Sequence, residues 1–465
     1  MPPILRRRFL QSTGLALAGI AGLPRSVLSQ ARKKTKITDI EVHEIVAPYQ
    51  DYNAQALFRY HGLSIQTRHV YIVKTAGGLE GYGDGGAEPN TQRYRDRYLG
   101  TDVFDWIADP MNLAMNMACY DLMGKYLGVP AWKLIGPQVR KWIPVAAWTV
   151  SRPPAEMAEE VVSVARRGYH WLKYHVDVLQ SAIDQTEAMQ KVAPPGFKVH
   201  YDFNEDSNFE AVYPVLKELE KFPIAGRIED PIKNEDHAGY RLLRQKLSIP
   251  VLIHHGPHPV FAREGLCDGF MGGHAPIGSA MHEAAIAEST NVPFMLQQVG
   301  GPINQAFLAH EASVFKMATI DHVNLCHLWK EDVVKETMEV VGGSVKVPTA
   351  PGLGVTVDRT KLERIKSRPK PKQTRFLVRV RYRGGPSIFF RFDPDSQNAE
   401  GRNANIRFLN PPAFGRRDSG FGPDVPGPVP GYGNQVVSDF WDEVGTSEFE
   451  AMWKRTESGP VWTRE

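Results

Sequence analysis

The chain has 465 residues, 42% hydrophobic and 23% charged, with a net charge of +3. That length exceeds what one hydrophobic core usually serves, so two or three domains are expected. The small net charge, part of it in the first 34 residues, gives no footing for a nucleic-acid partner; the three dispersed cysteines, Cys119, Cys267 and Cys326, argue against a disulfide scaffold and form no metal-spaced cluster.

The amino terminus reads as an address. Arg6-Arg7-Arg8-Phe9-Leu10 precedes an apolar run, 13–23, too short to span a bilayer, and Ser29-Gln30-Ala31 offers small residues for cleavage. The segment 1–31 resembles a twin-arginine signal peptide, which implies a bacterial protein exported to the periplasm or beyond, with no membrane attachment after cleavage. A plain membrane anchor is the alternative.

Residues 36–140 read as a small α+β domain. Stretches near 37–43 and 68–74 alternate apolar and polar, and Gly77-Gly78 followed by Gly81-Tyr82-Gly83-Asp84 marks a turn and a return strand. Apolar residues recur at three and four from Asn112 onward, predicting a buried helix that Gly128 and Pro130 close.

From 141 to 362 one unit repeats: a short apolar strand ends in a polar residue, and a helix follows. The predicted strands are 143–148, 171–175, 198–203, 226–229, 250–254, 269–272, 293–297 and 322–325, with the clearest helices at 154–167, 209–222 and 279–290. Eight such units predict a parallel (β/α) barrel with its chemistry at the carboxyl ends of the strands. Periodicity does not show closure, so a doubly wound sheet is the structural alternative. Residues 363–465 form an extension: a basic, proline-broken linker at 367–372, a hairpin over 375–382 and 387–392, a Gly/Pro-rich loop at 408–433, and a terminal helix within 436–453. Arg379, Arg381, Arg383 and Arg391 on the hairpin read as a solvated strand face or an anion-binding stripe.

The order and spacing of several motifs resemble the enolase superfamily, in its mandelate racemase and muconate-lactonizing branch. They are Ala118-Cys119-Tyr120-Asp121, Leu172-Lys173-Tyr174-His175, Tyr201-Asp202-Phe203-Asn204, Ile228-Glu229-Asp230-Pro231, Ile249-Pro250-Val251-Leu252 and the closing Val347-Pro348-Thr349-Ala350-Pro351-Gly352. The resemblance covers about 37 to 362 and implies a (β/α)7β barrel behind an α+β cap. It also implies removal of a proton next to a carboxylate, with a divalent cation, usually Mg²⁺, steadying the charge.

Carried over position by position, the resemblance makes Asp202 and Glu229 metal ligands, with Asn204 beside them. Where a third carboxylate is usual, this chain has His254-His255. Register favours His255, and a one-residue shift gives His254. An imidazole there turns preference toward Mn²⁺, Zn²⁺ or Fe²⁺; otherwise His255 contacts substrate, or the site is degraded. His175 falls where the family places its base, with Lys173 as the electrophilic partner, though His175 also fits a packing role. The seventh strand offers Gln297 and Gln298, which bind hydroxyls and abstract no proton, so a second base looks missing. His274 and His327 are substitute acids or structural residues. The expected function is a lyase dehydrating an acid sugar or related hydroxy acid. Its rivals are a racemase, epimerase or cycloisomerase of the same fold, and a non-catalytic binding protein on a decayed scaffold. The expected partner is a small carboxylate, with a homo-oligomeric assembly. Cap loops at 49–62 and 84–94, with Tyr52, Phe58, Arg59 and His61, are expected to select substrate.

Overall fold

The computed structural model describes residues 34–464 apart from 62, 64, 87–90, 177–180, 206, 373, 383–386, 393–435 and 460. The arginine-led segment 1–31 and the loop 408–433 therefore lie outside the described residues. Among those described, no helix is long and apolar enough to cross a membrane.

Strands β1 (Ile37–Val46), β2 (Thr67–Thr75) and β3 (Glu80–Gly86) form an antiparallel sheet in that order. The helix Leu113–Leu127 lies directly on it. A Cβ at Gly81 or Gly83 would collide with the carbonyl oxygens of Ala118 or Ala114, so the glycines permit this approach of helix to strand. Asn112 caps the helix by accepting the Met115 N–H at 2.8 Å, and Gly128 ends it in the left-handed conformation.

The barrel strands are β4 (Trp142–Val150), β5 (Trp171–His175), β6 (Lys198–Asp202), β7 (Ala225–Glu229), β8 (Val251–Ile253), β9 (Gly269–Gly273), β10 (Phe294–Gln298) and β11 (His322–Asn324). Neighbours pair in parallel, and β11 pairs with β4, so the sheet closes and the open-sheet alternative falls. A hairpin of β12 (Val340–Val341) and β13 (Ser344–Lys346) adds to the start of β4.

The extension is a second antiparallel sheet, ordered β16-β14-β15-β17: β14 (Phe376–Tyr382), β15 (Ser387–Phe392), β16 (Val436–Trp441) and β17 (Val461–Thr463). One expectation fails here. Val436–Trp441 is a strand, and the terminal helix is confined to Ser447–Arg455. Alternation overrides helix propensity, because Asp439 meets Arg379 across β14 while Phe440 turns onto Phe376. Of the arginine stripe, Arg383 lies outside the described residues, Arg379 and Arg381 pair with Asp439, and Arg391 lies over the Trp453 ring. The helix Arg359–Lys366 runs across the expected boundary at 362.

The cap is fastened to the barrel by one buried guanidinium. Arg68 on β2 donates to Asp84 on β3 at 2.8 and 3.1 Å and to Asp332 at 2.6 Å. Asp84 also accepts the Gly301 N–H beyond β10. Burial alone would lower the Arg68 pKa, but the two carboxylates outweigh it and hold the charge in place. Replacing Arg68 with Ala leaves Asp84 buried and uncompensated. A loss of about 3–5 kcal/mol is expected, seen as a lower denaturation midpoint; an unchanged midpoint would refute this account of the junction.

Candidate active site

Side chains on a strand alternate between its two faces, and here parity sorts them cleanly. On β5, Leu172 and Tyr174 face the helices, where the Tyr174 hydroxyl donates to Gln185 at 2.9 Å; Lys173 and His175 face the barrel axis. On β6, Tyr201 packs outward against Thr186, leaving His200 and Asp202 inside. The register pairs His175 with Asp202 and Asp202 with Glu229, so these ends share one level of the mouth.

Lys173 is the hub. Its ammonium has no exposed surface and lies 2.8 Å from Glu229 Oε1, 3.1 Å from Asp202 Oδ2, 2.8 Å from Gln297 Oε1 and 3.4 Å from Met271 Sδ. His175 Nε2 stands 3.1 Å from the same Asp202 oxygen, with the Trp148 ring at a T-shaped 5.3 Å. Below Glu229, His200 Nε2 lies 2.7 Å from Oε2. Trp148, His200 and Met271 escaped the sequence reading, although parity two residues before Asp202 pointed to His200.

Three expected site residues, Asn204, Gln298 and His255, sit differently from the expectation. β6 ends at Asp202, so Asn204 does not share its strand face; it turns left-handed, and its N–H donates to Asp202 Oδ1 at 2.9 Å. Gln298 has outward parity and donates to Glu311 at 2.9 Å, away from the mouth. His255 follows His254, whose position carries the inward parity of Leu252, and its Nδ1 lies 2.5 Å from Asp230 Oδ2. His327 is buried under Trp148, sharing its backbone polar groups at 2.7 and 3.0 Å, which is the structural one of its two expected roles. Of the cap residues, the Tyr52 hydroxyl donates to Glu160 at 2.9 Å and Arg59 reaches Asp442 in the extension. The His61 side chain lies outside the described residues.

Residues 156–361 match the family model of enolase C-terminal domain-like proteins. That match lies within the barrel and its closing segment and spans less than half of the chain. The chain is 26% identical over 284 residues to a D-gluconate dehydratase of Thermoproteus tenax, covering 55% of this chain and 56% of that protein. It is 28% identical over 281 residues to a D-galactonate dehydratase of Xanthomonas oryzae pv. oryzae, covering 55% and 73%. The chain thus spans little more than half the length of the first of these relatives. In fold it resembles the muconate lactonizing enzyme of Pseudomonas fluorescens complexed with muconolactone, at 21% identity and a TM-score of 0.60 over 71% of this chain and 99% of that one.

Enolase-superfamily enzymes use a divalent cation, and the residues at this mouth fit one. Asp202, Glu229 and Asp230 bring oxygens within 4.8 Å of one another. Asp202 Oδ2 and Glu229 Oε2 are buried yet accept no well-formed hydrogen bond, although Lys173, His175 and His200 lie at ion-pair distance. The charges are under-matched. Burial and the adjacent Asp202 push Glu229 up, to about 8, against the pull of Lys173. Burial would raise Asp202 too, but Lys173 and His175 hold it well below the usual carboxylate range. For Lys173, burial opposes the charge, and Asp202 and Glu229 outweigh it. One ammonium therefore serves two carboxylates.

Two further imidazoles reach the rim. His254 Nδ1 lies 3.6 Å from Glu229 Oε1; burial and then Lys173 lower its pKa to about 2. His274 turns left-handed just after β9, its N–H donating to Gln297 O at 2.7 Å. Its ring is exposed at the rim. With its lowered pKa, the His254 ring is neutral near pH 7.

Behind the barrel wall, burial pushes Glu311, the partner of Gln298, up to about 8. The folded protein then holds a proton that the unfolded chain releases above its ordinary 4.5, so this group makes stability fall as pH rises from 4.5 to about 8. Glu311→Gln removes that dependence. Its thermal midpoint relative to the wild type is expected to climb across this window; parallel pH profiles would refute the assignment.

Proposed function

We propose that the protein is a metal-dependent lyase that dehydrates a polyhydroxylated carboxylic acid. The observation that carries this reading is the Lys173–Asp202–Glu229 cluster at three neighbouring strand ends, two of its buried oxygens short of a hydrogen bond. The similarity to proteins named gluconate and galactonate dehydratases supports the substrate class. Asp202 and Glu229 hold the cation, Mg²⁺ by family and chemistry of oxygen ligands. Bound there, it would lower the cost of building negative charge on the substrate carboxylate. The cation and one substrate carboxylate would also bring the cluster of two carboxylates and Lys173 to neutrality.

In this reading His175 takes the proton from the carbon next to the carboxylate. Asp202, 3.1 Å from Nε2, favours the imidazolium so formed. Lys173 stays charged and draws the enolate oxygen. The same His175 returns its proton to the leaving β-hydroxyl, which departs as water with its bonding electrons. The enol left behind tautomerises to an α-keto acid. Gln297 orients a substrate hydroxyl and His254 and His274 line the rim.

A second reading has its own support. β5 and β9 stand four strands apart in a ring of eight, so His175 and His274 occupy opposite walls. His274 is a candidate second base for a racemase or epimerase. A panel of acid sugars in deuterated water separates the readings. Dehydration yields an α-keto acid, isomerisation exchanges deuterium without losing water, and a binding protein does neither. Glu229→Gln should abolish metal binding and turnover, and His175→Asn should abolish both exchange and turnover. Unchanged kinetics in either variant would reject the scheme.

Export to the periplasm belongs to the same proposal, as does a homo-oligomeric state. Export rests on the arginine-led segment before 13–23. Lysines in place of Arg6, Arg7 and Arg8 should retain the protein in the cytoplasm on cell fractionation, and undiminished export would argue against a twin-arginine route.

A further inference from the structure

We propose that Asp230 supplies the third oxygen ligand of the cation site and that His255 is its clamp, not a ligand. The inference rests on the reading of the site given above. β8 ends at Ile253, and the next axis-facing position falls to His254, so His255 starts from the wrong parity to meet Asp202 and Glu229. Its ring is instead spent on Asp230: Nδ1 lies 2.5 Å from Oδ2, and that hydrogen bond outweighs burial to raise the imidazole pKa.

Asp230 follows Glu229 directly, and in a regular strand it would face the opposite side. Its φ of 43° breaks that alternation. A left-handed aspartate at the end of a strand is a strained arrangement, the kind that persists where surrounding contacts fix it. Those contacts are visible. Oδ1 accepts the His254 N–H at 2.8 Å, and Oδ2 accepts the His255 N–H at 3.3 Å besides the ring. Each carboxylate oxygen has two lone pairs, so Oδ1 keeps one to offer.

The result is a trio of oxygens, from Asp202, Glu229 and Asp230, within 4.8 Å of one another. All three residues are almost wholly buried, and Asp202 and Glu229 each carry an oxygen that accepts no well-formed hydrogen bond. A rival set, Asp230 with His254 and His255, is equally compact but leaves those two oxygens unserved. The carboxylate that the family resemblance leads one to expect at the end of β8 is thus supplied at the end of β7, and the histidine in its place holds the substitute. A hard oxygen trio keeps the site suited to Mg²⁺ or Mn²⁺, whereas two imidazoles would turn it toward Zn²⁺.

The test uses metal-stripped full-length protein titrated with Mn²⁺, following free ion by electron paramagnetic resonance. Asp230→Asn, an isosteric change that tolerates positive φ, should weaken binding by about 100-fold or more, and His255→Asn by about tenfold, the scale of an outer-sphere partner. A Mn²⁺ affinity of Asp230→Asn equal to the wild type, or a larger loss in His255→Asn, would overturn the proposal. Pulsed resonance on the Mn²⁺-loaded wild type needs no variant and decides even where Asp230→Asn does not fold. Absence of directly bound histidine nitrogen is expected, and its presence would refute the assignment. Glu229→Gln separates this inference from the parent reading, since undiminished Mn²⁺ binding there would sink the whole site. A wild type that binds no Mn²⁺ would sink both.

Discussion

The ammonium of Lys173, wholly buried between Glu229 and Asp202, sets the terms for the rest of the mouth. Removing such a charge from water is costly, and it is tolerated because two carboxylates and the Gln297 amide surround it. The two carboxylates are in turn close enough to repel each other, and burial denies them water. Burial, and then the adjacent Asp202, raise Glu229, and each carboxylate keeps an oxygen that accepts no well-formed hydrogen bond. A site of this kind attracts cations because the fold has forced anions together.

What forces them together is parity and register. Parallel strands in a closed ring place residues of the same rank at the same height, and alternation decides which side chains see the axis. Lys173, His175, Asp202, Glu229 and Gln297 are inward by that rule. Tyr174, Tyr201 and Gln298 are outward, and each finds a polar partner among the helices. Asp230 and His274 reach the mouth through positive φ at the strand ends, which releases them from alternation.

The second sheet is bound to the mouth by shared packing. One buried cluster joins Trp148, Met271 and Met295 of the barrel to Leu57 of the cap helix Ala54–His61 and to Phe376, Val378 and Ile388 of the extension. Arg59 of that helix lies over Phe376 and Phe440 and pairs with Asp442, while Gln55 donates to the same carboxylate at 3.2 Å. The extension therefore bears on the cap segment next to the site. Gln55 and Arg59 point to the second sheet.

The barrel strands were legible in the sequence because each is a short apolar run ended by a polar residue, and the predicted spans agree with the structure to within about two residues. Lys173, His175, Asp202, Glu229 and Gln297 were legible for the same reason: strand parity is a local property. The sequence could not place His255 against Asp230, nor show Asp230 turned beside Glu229 at the mouth. Those outcomes depend on a backbone turn at Asp230 and on hydrogen bonds from the next strand's end, which are contacts between segments some 24 residues apart. Barrel closure and the docking of the second sheet on the cap helix are likewise tertiary facts. A pattern of side chains states which face is buried, but only packing determines what it is buried against.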